Sequence, residues 1–124
     1  MTTDDTPAPT ADEIVAGQWQ WLLAAGPEHV RPDVVRAAYA NPRLRGLFTG
    51  LSHGVLFFSL STESPYTLVG GTVYYLENDR YFVRGAPVTS SLGETDSLKE
   101  AFALLAANIP DDAGPVVAGP GKRG

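Results

Sequence analysis

The chain has 124 residues, 44% of them hydrophobic and 19% charged, the size and composition of one globular domain that buries roughly 65% of its unfolded surface. Its net charge of −5, with nine Lys plus Arg scattered along the sequence, offers no basic stripe to a phosphate backbone, so nucleic acid is not an expected partner. The absence of cysteine excludes thiol catalysis, disulfides and thiolate metal sites, and the apolar runs fall far short of the ~20 residues that span hydrocarbon, so no membrane partner is expected.

Residues 1–10 are rich in Thr, Asp and Pro and read as a mobile arm. They lack the basic-then-apolar order of a secretion signal, and a cytoplasmic location is the expectation. A first helix is predicted over 11–25, with Asp12 and Glu13 complementing the dipole of its first turn and Gly26-Pro27 ending it. Ile14, Gln18, Trp21, Leu22 and Ala25 share one face, and Val15, Trp19 and Leu23 widen the stripe. Pro32 suits the first turn of a second helix over 33–40, which Asn41-Pro42 terminates. A short turn is expected over 43–48.

Residues 55–61 read as a strand, and apolar side chains at both parities (Val55 and Phe57, Leu56 and Phe58) predict a central strand covered on both faces. Residues 66–69 are a short strand or loop. Strands over 72–77 and 80–84 flank Asn78-Asp79, a pair suited to the positive φ of a type I′ hairpin. Leu92-Gly93-Glu94 leads to a last helix, with Ser97 and Glu100 at capping-box spacing and Leu98, Ala101, Phe102, Leu105 and Ile109 at helical period. Residues 111–124 are punctuated by Pro and Gly and read as a tail, in which Val116 and Val117 could dock. The expected fold is α+β: one domain over 11–110, two N-terminal helices, an antiparallel sheet of three to four strands and one C-terminal helix.

Two tryptophans and an aromatic hairpin (Tyr74, Tyr75, Tyr81, Phe82) are more apolar surface than one small sheet can cover, so a homodimer or a ring-lined groove is expected. Trp19 and Trp21 lie about 200° apart on a helix, so only one can face the core. His53 is the first candidate for proton exchange, because an imidazole titrates near ~6.5; capping a strand end is the competing reading of its SHG context, and Ser52 beside it points the other way on an extended chain. Arg43 and Arg45 could clamp a carboxylate with forked donors, or be solvent-facing charge on a turn. His29 reads as a solvated loop residue. With two histidines far apart, no metal site is written in the chain, and no cofactor is implied.

The stretches VRPDVVRAAYANPRLRGLFTGLSHGVLFFS, DRYFVRG and LGETDSLKEAFALLAANIPDDAGPVVAG resemble a family of small actinobacterial natural-product biosynthesis proteins over nearly the whole chain beyond its N-terminal arm. Within it the sequence is similar to the lysinoalanine-forming proteins of cinnamycin- and duramycin-type lanthipeptide pathways. The resemblance implies a cofactor-independent cyclase that adds a substrate lysine amine to a dehydroalanine in a modified precursor peptide, with much of the acid-base work done by the substrate. It would place Trp19 or Trp21, Phe57 or Phe58, Tyr66, Tyr74 and Tyr81 around an apolar pocket at a dimer interface, with His53 catalytic and Arg43 and Arg45 binding the peptide's polar groups. A non-catalytic accessory protein that binds a precursor peptide or a modifying enzyme is the alternative.

Overall fold

The computed structural model describes residues 9–85 and 91–121. Helix α1 (Ala11–Ala24) begins at Thr10, whose hydroxyl accepts the Glu13 N–H while the Glu13 carboxylate accepts the Thr10 N–H, a reciprocal capping box. Helix α2 (Pro32–Ala40) carries proline in its first turn, as expected, and α3 (Pro42–Arg45) is a single turn whose first N–H groups are accepted by the Asn41 side chain.

Seven strands follow among the described residues: β1 (Phe48–Ser52), β2 (Val55–Ser59), β3 (Ser61–Glu63), β4 (Gly71–Tyr75), β5 (Tyr81–Gly85), β6 (Ser91–Thr95) and, after helix α4 (Leu98–Ala107), β7 (Val117–Pro120). The α+β class is as expected. The strands are divided among three ladders, however: antiparallel β1-β2, antiparallel β4-β5-β6 and parallel β3-β7. The short turn expected over 43–48 is present as α3 and the residues after it, with β1 beginning at Phe48, and β7 lies inside the stretch expected to be a tail. Of the expected N-terminal arm, residues 1–8 lie outside the described residues and Thr10 caps α1.

The turn expected at Asn78-Asp79 is present, although β4 ends at Tyr75 and β5 begins at Tyr81, inside the expected bounds of 77 and 80. Asn78 and Asp79 stand at φ of 62° and 59°, and the Arg80 N–H donates to Glu77 O at 3.3 Å, closing the turn between β4 and β5. A second such turn joins β1 to β2 through His53 and Gly54, at φ of 53° and 79°. Register makes its consequence clear: Phe48, Gly50 and Ser52 stand opposite Ser59, Phe57 and Val55 on one face, while Thr49 and Leu51 stand opposite Phe58 and Leu56 on the other. The second face packs into the core. Leu56 and Phe58 are buried there with Trp19, Leu22, Val35, Leu44, Val83, Phe102 and Leu105, and the Phe58 ring meets Phe102 edge-on at 6.3 Å. The apolar residues of β2 at the other parity, Val55 and Phe57, are only half-buried, although Phe48 and Ser59 on the same face are buried, so the expected cover is complete on one face and partial on the other.

Candidate functional site

The partly covered face of β1-β2 is the floor of an open groove of about 850 Å³. Gln18 and Trp21 of α1 border it on one side, Tyr66 and Leu68 of the loop after β3 on another, and Thr72 and Tyr74 of β4 on a third; His53 stands at the rim on the hairpin turn. Helix α1 sorts its two tryptophans as their angular separation requires. Trp19 is 2% exposed in the core, edge-on to Tyr39 at 5.3 Å, whereas Trp21 is 52% exposed beside the groove, tilted over His29 at 6.2 Å. The expectation that left either tryptophan as a pocket residue is thereby resolved in favour of Trp21.

Three aromatic rings form the wall and floor. Tyr66 stacks on Phe48 at 5.9 Å with 11° between their planes and leans on Phe57 at 4.8 Å. Phe57 lies over the backbone of Gly50, its cross-strand partner: a Cβ added at Gly50 would stand 2.5 Å from Phe57 Cζ. The missing side chain at 50 is therefore what lets the ring lie flat and keeps the groove open above it. The polar complement is sparse. Gln18, Ser52, His53 and the two tyrosines supply it, and no Asp, Glu, Lys or Arg is among the lining residues. Thr72 Oγ1 is shielded from solvent without a hydrogen-bond partner among the described residues.

Of the residues singled out from the sequence, His53, Trp21, Phe57, Tyr66 and Tyr74 converge on this groove, and Arg43, Arg45, Trp19 and Tyr81 do not. Arg43 Nη2 donates to Ile109 O at 2.8 Å and Pro110 O at 3.1 Å, beside Asp111 at 3.6 Å, so its donors tie α3 to the end of α4. Arg45 Nε donates to Tyr39 O at 2.8 Å and Nη2 to Ala40 O at 3.3 Å, with the guanidinium 5.0 Å from the Tyr39 ring centroid; it satisfies the last carbonyls of α2. Both side chains thus lie away from the groove, with these donors given to backbone carbonyls as structural ties rather than to a site in the groove. Tyr81 is buried at the β5 side of the sheet, in a separate hollow of about 210 Å³ with Arg31, Tyr75 and Leu98, and likewise lies away from the groove. Phe58, the alternative to Phe57, belongs to the core.

Sequence reasoning missed Phe48, Gly50, Leu68 and Thr72. The signal was present for Gly50, since a glycine between Phe48 and Ser52 opposite an aromatic strand marks a close approach, but only the register identifies the partner. Beyond the groove, Arg31 Nη2 and Asp33 Oδ2 form an ion pair at 2.7 Å at the start of α2. Partial burial works against ionisation of Asp33, but the hydrogen bond and charge of Arg31, with the Val34 N–H, outweigh it and hold the carboxyl below its ordinary value. Among the described residues no group of three or more His, Asp or Glu could hold a metal ion, and no helix is long and apolar enough to cross a membrane.

No curated protein and no solved structure matches the chain. A family model described as "Family of unknown function (DUF6193)" matches residues 13–120. That span runs from the first turn of α1 to the last residue of β7, through every element that walls the groove, and the chain belongs to this family.

Proposed function

We propose that the groove binds a modified precursor peptide and promotes closure of a lysinoalanine cross-link, acting chiefly by positioning. One observation carries this reading: an open, ring-lined groove of about 850 Å³ whose lining holds no ionised side chain other than what His53 supplies on protonation. The resemblance of the SHG block and the LGE-helix-IP ending to lysinoalanine-forming proteins supports the choice of reaction.

In that reaction a lysine nitrogen bonds to the β carbon of a dehydroalanine. The π electrons move to the α carbon and its carbonyl, the nitrogen loses one proton, the α carbon gains one, and the elemental composition is unchanged. At pH 7 a lysine with its reference pKa of ~10.4 must give up its proton at a cost of about 4.6 kcal/mol. Apolar walls reduce that cost by disfavouring the ammonium. Holding two reacting groups in near-attack geometry is worth about 7–11 kcal/mol. Positioning can thus exceed the deprotonation cost without a strong protein base, and a carboxylate on the peptide can take the proton. His53, at the rim, is suited to return a proton to the α carbon or to hold a polar group of the guest.

Under the same reading the molecule works as a homodimer in the cytoplasm, where precursor peptides are made, and the second copy covers part of the open groove. The accessory alternative, peptide binding without turnover, is favoured by the same sparse set of titratable groups. A dehydroalanine-containing, ring-closed peptide incubated with a small fraction of one equivalent of protein separates the two. Unreacted alkene is tagged with a thiol and counted by mass spectrometry. Many turnovers per protein support the cyclase; saturable binding with no loss of taggable alkene supports the accessory; neither binding nor conversion removes the groove reading. His53→Asn is the informative variant, because asparagine tolerates the positive φ of the turn and only the imidazole is lost.

A further inference from the structure

Three buried hydroxyl-bearing residues lie at the end of β2 and in β3, and the Ser61 hydroxyl is the one that reaches the following loop. Ser59 and Ser61 are fully buried and Thr62 nearly so. Ser61 Oγ accepts the Thr67 N–H at 3.1 Å and stands 3.3 Å from Pro65 O, 3.3 Å from Glu63 O and 3.2 Å from Ser59 Oγ. One hydroxyl proton serves one of those oxygens at a time, while its lone pairs keep the Thr67 N–H satisfied. The residues it grips, Pro65 and Thr67, are the immediate neighbours of Tyr66. Leu60 N–H adds a third hold by donating to Thr67 O at 2.9 Å.

The C-terminal strand closes the same loop from outside. Val117 N–H donates to Leu60 O, Gly119 N–H to Thr62 Oγ1 and Gly121 N–H to Pro65 O, each at 2.8 Å. Gly121 fills a niche in which a Cβ would collide with Thr67 Oγ1 and stand 2.8 Å from Pro65 O and 3.1 Å from Ser61 Oγ. A parallel pair of strands three and four residues long is a weak element by itself. Its bonds gain their purpose from what they surround.

From this we infer that Ser61 is a positioning residue for the groove, and that β7 acts with it as a strap that fixes Tyr66 against Phe48 and Phe57. The inference rests on the reading of the groove as a guest site only for its functional consequence; the placement of Tyr66 is a separate, measurable property. A ring held at both backbone neighbours presents a preformed wall, so a guest does not have to order it on binding. The polar knot lies behind the wall and touches no guest.

The test uses the full chain labelled with meta-fluorotyrosine, the Tyr66 signal being identified by its loss in Tyr66→Phe. In fluorine NMR, Ser61→Ala and Gly121→Ala are expected to broaden or split the Tyr66 resonance. Val35→Ala, a fully buried change in α2, lowers stability without touching the loop and should leave that resonance sharp. In parallel, the affinity of the groove for anilinonaphthalenesulfonate should fall about threefold or more in Ser61→Ala, as the loss of one ordering hydrogen bond predicts, and should not fall in Val35→Ala. An unchanged Tyr66 resonance in Ser61→Ala, or equal broadening in Val35→Ala, overturns the inference. Dye binding that ignores Tyr66→Ala removes the guest-site reading instead, while the resonance still decides whether Ser61 positions the ring.

Discussion

At the scale of single residues, the groove depends on a side chain that is absent. Gly50→Ala places a methyl group where Phe57 lies, and the flexible ring rather than the backbone will yield, swinging into the groove. The expected outcome is a folded protein whose dye or peptide affinity falls at least about tenfold, since overpacking at a half-open site costs only about 1–3 kcal/mol of fold stability; urea unfolding and a binding titration measure the two effects separately. The tryptophans predict the opposite split. Trp19→Ala should destabilise by about 3–5 kcal/mol, as large core truncations do, whereas Trp21→Ala should alter stability by under ~0.5 kcal/mol and weaken binding. Trp19→Phe should cost less than the lost volume suggests, because Trp19 Nε1 is buried with no hydrogen-bond partner among the described residues and the substitution removes an unpaired donor. That Trp19 and Trp21 would part company was legible, since two positions on a helix fix an angle; which of them enters the core was not, and the face read as central, with Trp21 on it, is rotated from the buried one of Val15, Trp19 and Leu22. The roles of Arg43 and Arg45 were not: Arg43 finds its acceptors 66 and 67 residues away, a distance that no local pattern encodes.

At the scale of elements, helix α2 carries a measurable pH signature. Asp33 titrates below its usual carboxylate value, so its contribution is present at neutral pH and is lost as pH falls below about 3.9 and through the depressed folded value. Both partners are nearly half exposed, at 46% and 45%, so water and salt screen the pair. Asp33→Asn should therefore cost less than about 1 kcal/mol at pH 7 and low salt, and less still in high salt. Below the folded pKa the variant and the parent should unfold at the same urea concentration. The helices were legible because proline, capping residues and apolar period mark them independently. Strands β1, β6 and β7 were not, because FTGLS, SLGET and VAGP mix glycine, hydroxyl and apolar residues without clean alternation. They are strands because their partners are, and pairing is a tertiary fact.

For the molecule as a whole, four exposed large apolar residues, Trp21, Tyr66, Leu68 and Tyr74, gather on the groove, while Leu23, Tyr39, Tyr75 and Val117 are exposed elsewhere. Such a cluster on one face suits a guest or a second copy of the chain. Sedimentation velocity is expected to show twice the mass of the chain at micromolar concentration, and Trp21→Asp should shift that population toward monomer if the copies meet there. A monomer at all concentrations would leave the face to the guest alone. The aromatics pointed to a homodimer or a ring-lined groove without choosing between them; where a groove would lie was not readable, because it is formed by residues from α1, β1-β2, the loop after β3 and β4, brought together only by folding. The alternation along Val55–Ser59 has a practical consequence. Leu56 and Phe58 pack into the interior while Val55 and Phe57 face the groove, so adjacent letters of one five-residue ribbon meet different surroundings. Randomising positions 55 and 57 together should yield libraries that diversify guest preference while foldability, written in the intervening positions, stays intact.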